Sequence, residues 1–210
     1  MRYDSAVDES ALIQDAKHGD LDAFNRLVLA YQDVAYSVAL RILGDPHGAD
    51  DAAQEAFISA YKGLSRYRGG SFRAWLLRIV TNACYDELRR QKRRPTVGLE
   101  DLSPLDDPEE AGSSGLLASG DSGPEEEAQR QELSRAIQKC LAGLPDEFRV
   151  VAVLVDVQGC DYQEASEVIG KPLGTVKSRL ARARLRLQEC LQAYWELLPS
   201  AFRLEDEAVS

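Results

Sequence analysis

Residues 95–123, PTVGLEDLSPLDDPEEAGSSGLLASGDSG, are rich in proline, glycine, serine and acid and hold few large apolar side chains. A segment of this kind cannot bury enough surface to offset its ordering entropy, and it reads as a flexible linker. It divides the 210-residue chain into a first domain at about 8–94, a second at about 124–195 and a tail at 196–210. No internal repeat is present.

Both domains read as helical, and strand-like alternation is absent. Ser10 caps a short helix that stops at Gly19. Asp20 caps a long one, where Phe24, Leu27, Val28, Tyr31, Val34, Ala35 and Val38 recur at helical spacing up to Gly44. Asp45-Pro46 is a cap followed by a proline at the first helical position, and Ser71 caps a helix with an apolar stripe of Phe72, Trp75, Leu76, Ile79, Val80 and Ala83. Beyond the linker, Pro124 and Pro145 open two helices, Asp161 caps a short third that ends at Gly170, and a fourth begins near Gly174-Thr175. The fold class is all-α, with two small helical domains.

Charge narrows the function. The chain has 25 Lys and Arg against 35 Asp and Glu, a net charge of −10, which excludes a uniformly basic polyanion binder. The acid is unevenly placed, however. Residues 66–94 carry +7 and residues 171–190 carry +5, whereas residues 95–134 carry −10. Local patches govern contacts when the Debye length is about 8 Å. The N-terminal MRYDSAVDES has no signal-peptide core, and no apolar run is long enough for a membrane span. Cys84, Cys140, Cys160 and Cys190 form no CxxC, which points to four reduced thiols and a cytoplasmic location. Only His18 and His47 offer imidazoles. No metal, cofactor or catalytic residue is expected, since GxxxxGK(S/T), GxSxG and HExxH are all missing.

The segment DYQEASEVIGKPLGTVKSRLARARLRLQ has the layout of a helix-turn-helix. Gly170 supplies the turn. On the second helix Val176, Leu180, Ala183 and Leu187 share an inward face. Opposite them lie Lys177, Ser178, Ala181 and Arg182, near the end of the helix that enters a major groove. Arg179 and Arg184 flank that strip and suit phosphates. Arginine spacing alone equally describes the solvated face of a bundle helix, but the capped preceding helix and the small-residue wedge favour the DNA reader.

These residues resemble region 4 of bacterial RNA polymerase sigma factors of the sigma-70 family, in the extracytoplasmic-function (ECF) group. The resemblance rests on LPDEFR at 144–149, GTVKSRLARAR at 174–184 and the turn glycine. One departure is Ala165-Ser166, where the family usually has Ile-Ala, and it implies a slightly altered helix contact. By this resemblance Lys177, Ser178, Ala181 and Arg182 read the −35 promoter element, with Thr175, Arg179 and Arg184 on phosphates. Residues 22–45 and 49–95 likewise resemble region 2. The resemblance places Asp50, Asp51, Gln54, Glu55 and Phe57 on the clamp of the polymerase β′ subunit. Phe57 taken alone reads equally as core.

Region 2 of the family also melts and captures the −10 element. Aromatic and basic residues interleaved with glycine suit newly exposed bases, and here they are Arg66, Tyr67, Arg68 and Gly69-Gly70. By resemblance Asn82 lines the pocket for a flipped base, and Arg89, Arg90, Lys92, Arg93 and Arg94 meet phosphates. Tyr67, between two arginines, reads as a DNA contact, and Trp75, on the apolar stripe, as core. The partners implied are core RNA polymerase, through its β′ clamp and β subunits, promoter DNA, and the anti-sigma factors that commonly hold this family inactive. The acidic linker is either an RNA-like occupant of the polymerase interior or a plain tether. The rival function is a stand-alone helix-turn-helix regulator, which would more usually carry a receiver, ligand-binding or dimerisation module in place of this first domain.

Overall fold

In the computed structural model residues 6–93 and 124–197 are described. The linker at 95–123, Arg94 and the tail beyond Leu197 lie outside those residues. The first domain holds α1 (Ala6–Lys17), α2 (Leu21–Leu43), α3 (Pro46–Gly63) and α4 (Phe72–Arg93), with one 3-10 turn at Leu64–Arg66. The second holds α5 (Pro124–Ala142), α6 (Asp146–Ala152), α7 (Tyr162–Ile169) and α8 (Leu173–Leu191). A π turn, Val153–Val157, extends α6, and a 3-10 segment, Gln192–Leu197, follows α8. No strand occurs among the described residues.

Caps set the ends of α2 and α3, whereas Ser10, expected to cap the first helix, lies inside α1, which starts at Ala6. Asp20 accepts from the backbone N–H of Asp22 and Ala23, and Asp45 accepts from that of Gly48 at 2.7 Å. Between those ends α3 buries Ala49, Ala52, Ala53, Ala56 and Ala60, a seam without bulk. Such a seam lets α2 and α4 approach closely, and they bring Val38, Ile42, Leu76, Leu77 and Val80 into the same core.

The second domain is built around α6. Val150, Val151, Ala152, Val153 and Leu154 are all buried, so the helix and its π turn run through the middle of the domain. Arg149, on this same helix, is buried as well. Its guanidinium donates to the carbonyls of Leu141, Ala142 and Leu144 at 2.8, 2.8 and 2.9 Å, and to Ile42 at 2.6 Å. The first three belong to the end of α5 and the turn after it, and the fourth to the last turn of α2. One residue therefore closes two helix C-termini in different domains.

The linker reading suggests two independent domains, but the structure packs them directly against each other. Gln138 donates to the carbonyls of Leu40 and Arg41, and Arg41 donates to Gln138 and Ser134. Arg73 at the start of α4 donates to the carbonyl of Gln158 at 2.6 Å, and Lys92 near its end pairs with Asp146. Buried residues of both domains form one continuous core.

The expectation of four reduced thiols is corrected here. Cys140 and Cys190 are disulfide-bonded with Cα atoms 5.7 Å apart, and only Cys84 and Cys160 are free. Fifty residues of sequence hide the pairing, because α5 folds back along the far end of α8. Burial pushes the Cys84 thiol up to about 12, which keeps it unreactive. Closing a loop of this size removes denatured-state entropy worth about 4 kcal/mol in the chain-entropy account. Cys140→Ser is expected to lower the unfolding free energy of the oxidised chain by about that amount in denaturant melts. With dithiothreitol present, the parent should fall to the level of the variant.

Candidate nucleic-acid interface

The helix-turn-helix forms at the expected residues. Asp161 accepts from the N–H groups of Gln163 and Glu164, while the Glu164 side chain accepts from the N–H of Asp161, a complete capping box. Gly170 sits at φ +62, a left-handed conformation that lets α7 end and the chain reverse. The departure at Ala165-Ser166 has a specific outcome. Ala165 is fully buried in the wedge, and Ser166 donates its hydroxyl to the carbonyl of Lys171 at 2.6 Å, tying the turn together.

On α8, Val176, Leu180 and Ala183 are buried with Val168 of α7, and Leu187 is partly buried. Lys177, Ser178, Ala181 and Arg182 form an exposed strip on the other side. Thr175 is half-buried and accepts the Ser178 hydroxyl at its carbonyl, 3.0 Å away. Lys177 lies 5.9 Å from the ring centre of Tyr162, a cation–π contact that leaves it at the surface. Arg179 pairs with Glu147 at 2.5 Å and Arg184 with Asp156 at 2.6 Å. These two arginines are the ones that flank the strip.

The first domain gathers a second basic surface. Arg66 and Arg68 are exposed in the loop before α4, where Gly69 and Gly70 take positive φ. Asn82, Arg89, Arg90 and Arg93 are exposed along α4. Arg89 and Arg90 pair with Asp86 and Glu87 one turn earlier on their own helix. Tyr67 departs from the expectation of an open DNA contact. Its ring is only 7% exposed, edge-on to Phe72 at 5.7 Å and 5.2 Å from Trp75, and its hydroxyl donates to the Gly70 carbonyl at 2.7 Å. Lys17 covers the ring at 5.3 Å and donates to the Tyr67 carbonyl. An amphipathic ring next to a buried aromatic pair gains more by packing than by standing in water. Tyr67 thus shapes the loop that presents Arg66 and Arg68.

On α3, Asp50, Asp51, Gln54 and Glu55 are exposed, while Phe57 is partly buried against the core. The open apolar residue on this surface is Ile58, which the sequence reading missed. It is 48% exposed and lines a groove with Asp51, Gln54 and Glu55, whose opposite wall is Ala83, Asp86, Glu87 and Arg90 of α4. Position was the available signal. Ile58 lies seven residues after Asp51 and therefore on the same helical face. Among the described residues no helix is long and apolar enough to cross a membrane.

Comparison with known proteins agrees with this arrangement. The models for sigma-70 region 2 and sigma-70 region 4 match residues 27–94 and 134–187. The ECF RNA polymerase sigma factor SigW of Bacillus subtilis is 37% identical over 86% of this chain and 95% of its own length. The ECF RNA polymerase sigma-E factor of Escherichia coli is 33% identical, covering 88% and 94%. Among solved structures, CnrH in complex with the cytosolic domain of CnrY superposes with a TM-score of 0.62 at 29% identity, over 89% of this chain and 98% of that one.

The buried position of Tyr67 is open to test. Tyr67→Ala should destabilise the chain by about 3–5 kcal/mol, as an aromatic truncated in a core does, and Tyr67→Phe by about 1 kcal/mol for the lost hydrogen bond. Denaturant unfolding measures both. Unchanged stability in Tyr67→Ala would return the ring to the surface.

Proposed function

This chain belongs to the ECF group of the sigma-70 family, factors that direct RNA polymerase to promoters, and from that membership we propose how its surfaces divide the work. The α3–α4 groove takes the β′ clamp of core polymerase. Asp50, Asp51, Gln54 and Glu55 steer the encounter, and Ile58 beside the partly buried Phe57 supplies apolar area. The exposed strip of α8 enters the major groove at the −35 element. Lys177, Ser178, Ala181 and Arg182 meet base edges there, and Thr175, Arg179 and Arg184 meet phosphates. Arg66, Arg68 and Asn82 hold the melted non-template strand of the −10 element, with Arg89, Arg90 and Arg93 along its backbone. The chain binds and does not catalyse, and it acts in the cytoplasm, where core polymerase and promoter DNA meet.

The observation that carries this reading is the exposed strip Lys177–Arg182 on a helix whose other side is buried behind a capped helix and a glycine turn. A stand-alone regulator is not favoured, because the first domain is itself matched as region 2. An anti-sigma factor is the natural regulator, and the CnrH structure was solved with the partner CnrY bound.

Two outcomes are expected. Added to core polymerase, the purified chain should support initiation on promoter templates that core alone ignores, with in vitro transcription as the readout. Duplex binding without any core association would refute the proposal. Arg182→Ala should weaken recognition of the −35 element by about 1–3 kcal/mol and relax preference at one base position. An equal loss on every upstream sequence would remove Arg182 from base reading.

A further inference from the structure

Five cations lie on α8: Lys177, Arg179, Arg182, Arg184 and Arg186. The two that flank the exposed strip are answered by carboxylates carried on α6 and its π turn. Arg179 is mostly covered, with 19% of its side chain exposed. Arg184 differs, since 54% of its side chain is open to solvent.

Asp156 engages Arg184 along one whole edge. Oδ1 accepts from Nη2 at 2.6 Å and Oδ2 from Nε at 3.2 Å, the side-on bidentate arrangement. Asp156 sits in the π turn, where the extra residue per turn rotates it relative to the buried Val153 and Leu154. An exposed pair of this kind adds little to stability. It does change what DNA meets. A guanidinium already facing a carboxylate releases less counter-ion on approaching a phosphate, and the carboxylate itself repels that phosphate.

We propose that Asp156 is a built-in counter-ion that cancels most of the contribution of Arg184 to sequence-independent DNA binding, leaving the affinity of α8 to its base-facing strip. The inference rests on the reading of α8 as the DNA-facing helix and refines the phosphate role given to Arg184. Neutralising Asp156 should raise binding to DNA of any sequence, and the gain should vanish without Arg184.

The test uses the full chain and a random-sequence duplex, with binding followed by fluorescence anisotropy from about 50 to about 200 mM salt. Glu189→Gln makes the same change in net charge on α8 itself, outside both ion pairs, and sets the baseline. Relative to it, Asp156→Asn should steepen the salt slope by up to about 0.9, so that affinity falls up to about 3.5-fold further across that range. Adding Arg184→Ala to Asp156→Asn should abolish the difference. A slope for Asp156→Asn equal to that of Glu189→Gln overturns the proposal. Lys177→Ala separates this failure from failure of the underlying reading. If it weakens binding while Asp156→Asn changes nothing, only the counter-ion role is lost. If it too has no effect, α8 is not the DNA-facing helix.

Discussion

The Arg149 guanidinium stands where α2, α5 and α6 meet, donating to four backbone carbonyls from 2.6 to 2.9 Å away. Carbonyls at the end of a helix have no partner within it, and when buried they need one from elsewhere. Arg149 is the partner for two helices at once. Burial lowers its pKa, while Asp146 at 3.8 Å works in the opposite direction and favours the charged form. Removing the side chain would strand four buried acceptors, whereas removing one acceptor would leave three. The dependence is asymmetric, and it falls on α6, the helix that carries Arg149 and packs against α8.

Around that anchor the charges are arranged in answering pairs. Lys92 meets Asp146, Arg179 meets Glu147 and Arg184 meets Asp156. All three carboxylates lie within eleven residues of α6 and its π turn, and all three cations belong to surfaces assigned to DNA. The net charge of −10 is thus more than a surplus spread over the surface. Part of it is committed to these three ion pairs.

Much of this was legible in the residues. Asp20, Asp45, Ser71 and Asp161 cap helices as their chemistry requires, and Gly170 turns the chain where a left-handed residue is needed. The exposed strip of α8, Lys177, Ser178, Ala181 and Arg182, followed from helical phase alone. What stayed hidden was set by contacts between segments far apart in sequence. Tyr67 looked exposed between two arginines because its partners Phe72, Trp75 and Lys17 come from other turns and another helix. Cys140 and Cys190 looked unrelated for the same reason. The direct packing of the domains could not be read across an acidic, proline-rich segment whose composition argues only for slack.

That packing bears on how such a chain could engage a promoter. The −35 and −10 elements lie about 25 base pairs apart, roughly 85 Å along straight duplex at 3.4 Å per step. Domains joined through Arg149 and Ile42, Arg73 and Gln158, and Lys92 and Asp146 keep one arrangement while those bonds last. Any rearrangement of the domains on a promoter breaks those bonds first. Where only a rearranged form binds, apparent affinity for a full promoter is the intrinsic affinity scaled by the fraction in that form. In that case a partner that holds the domains apart raises promoter affinity without touching a base, and one that clasps them together lowers it from the same position.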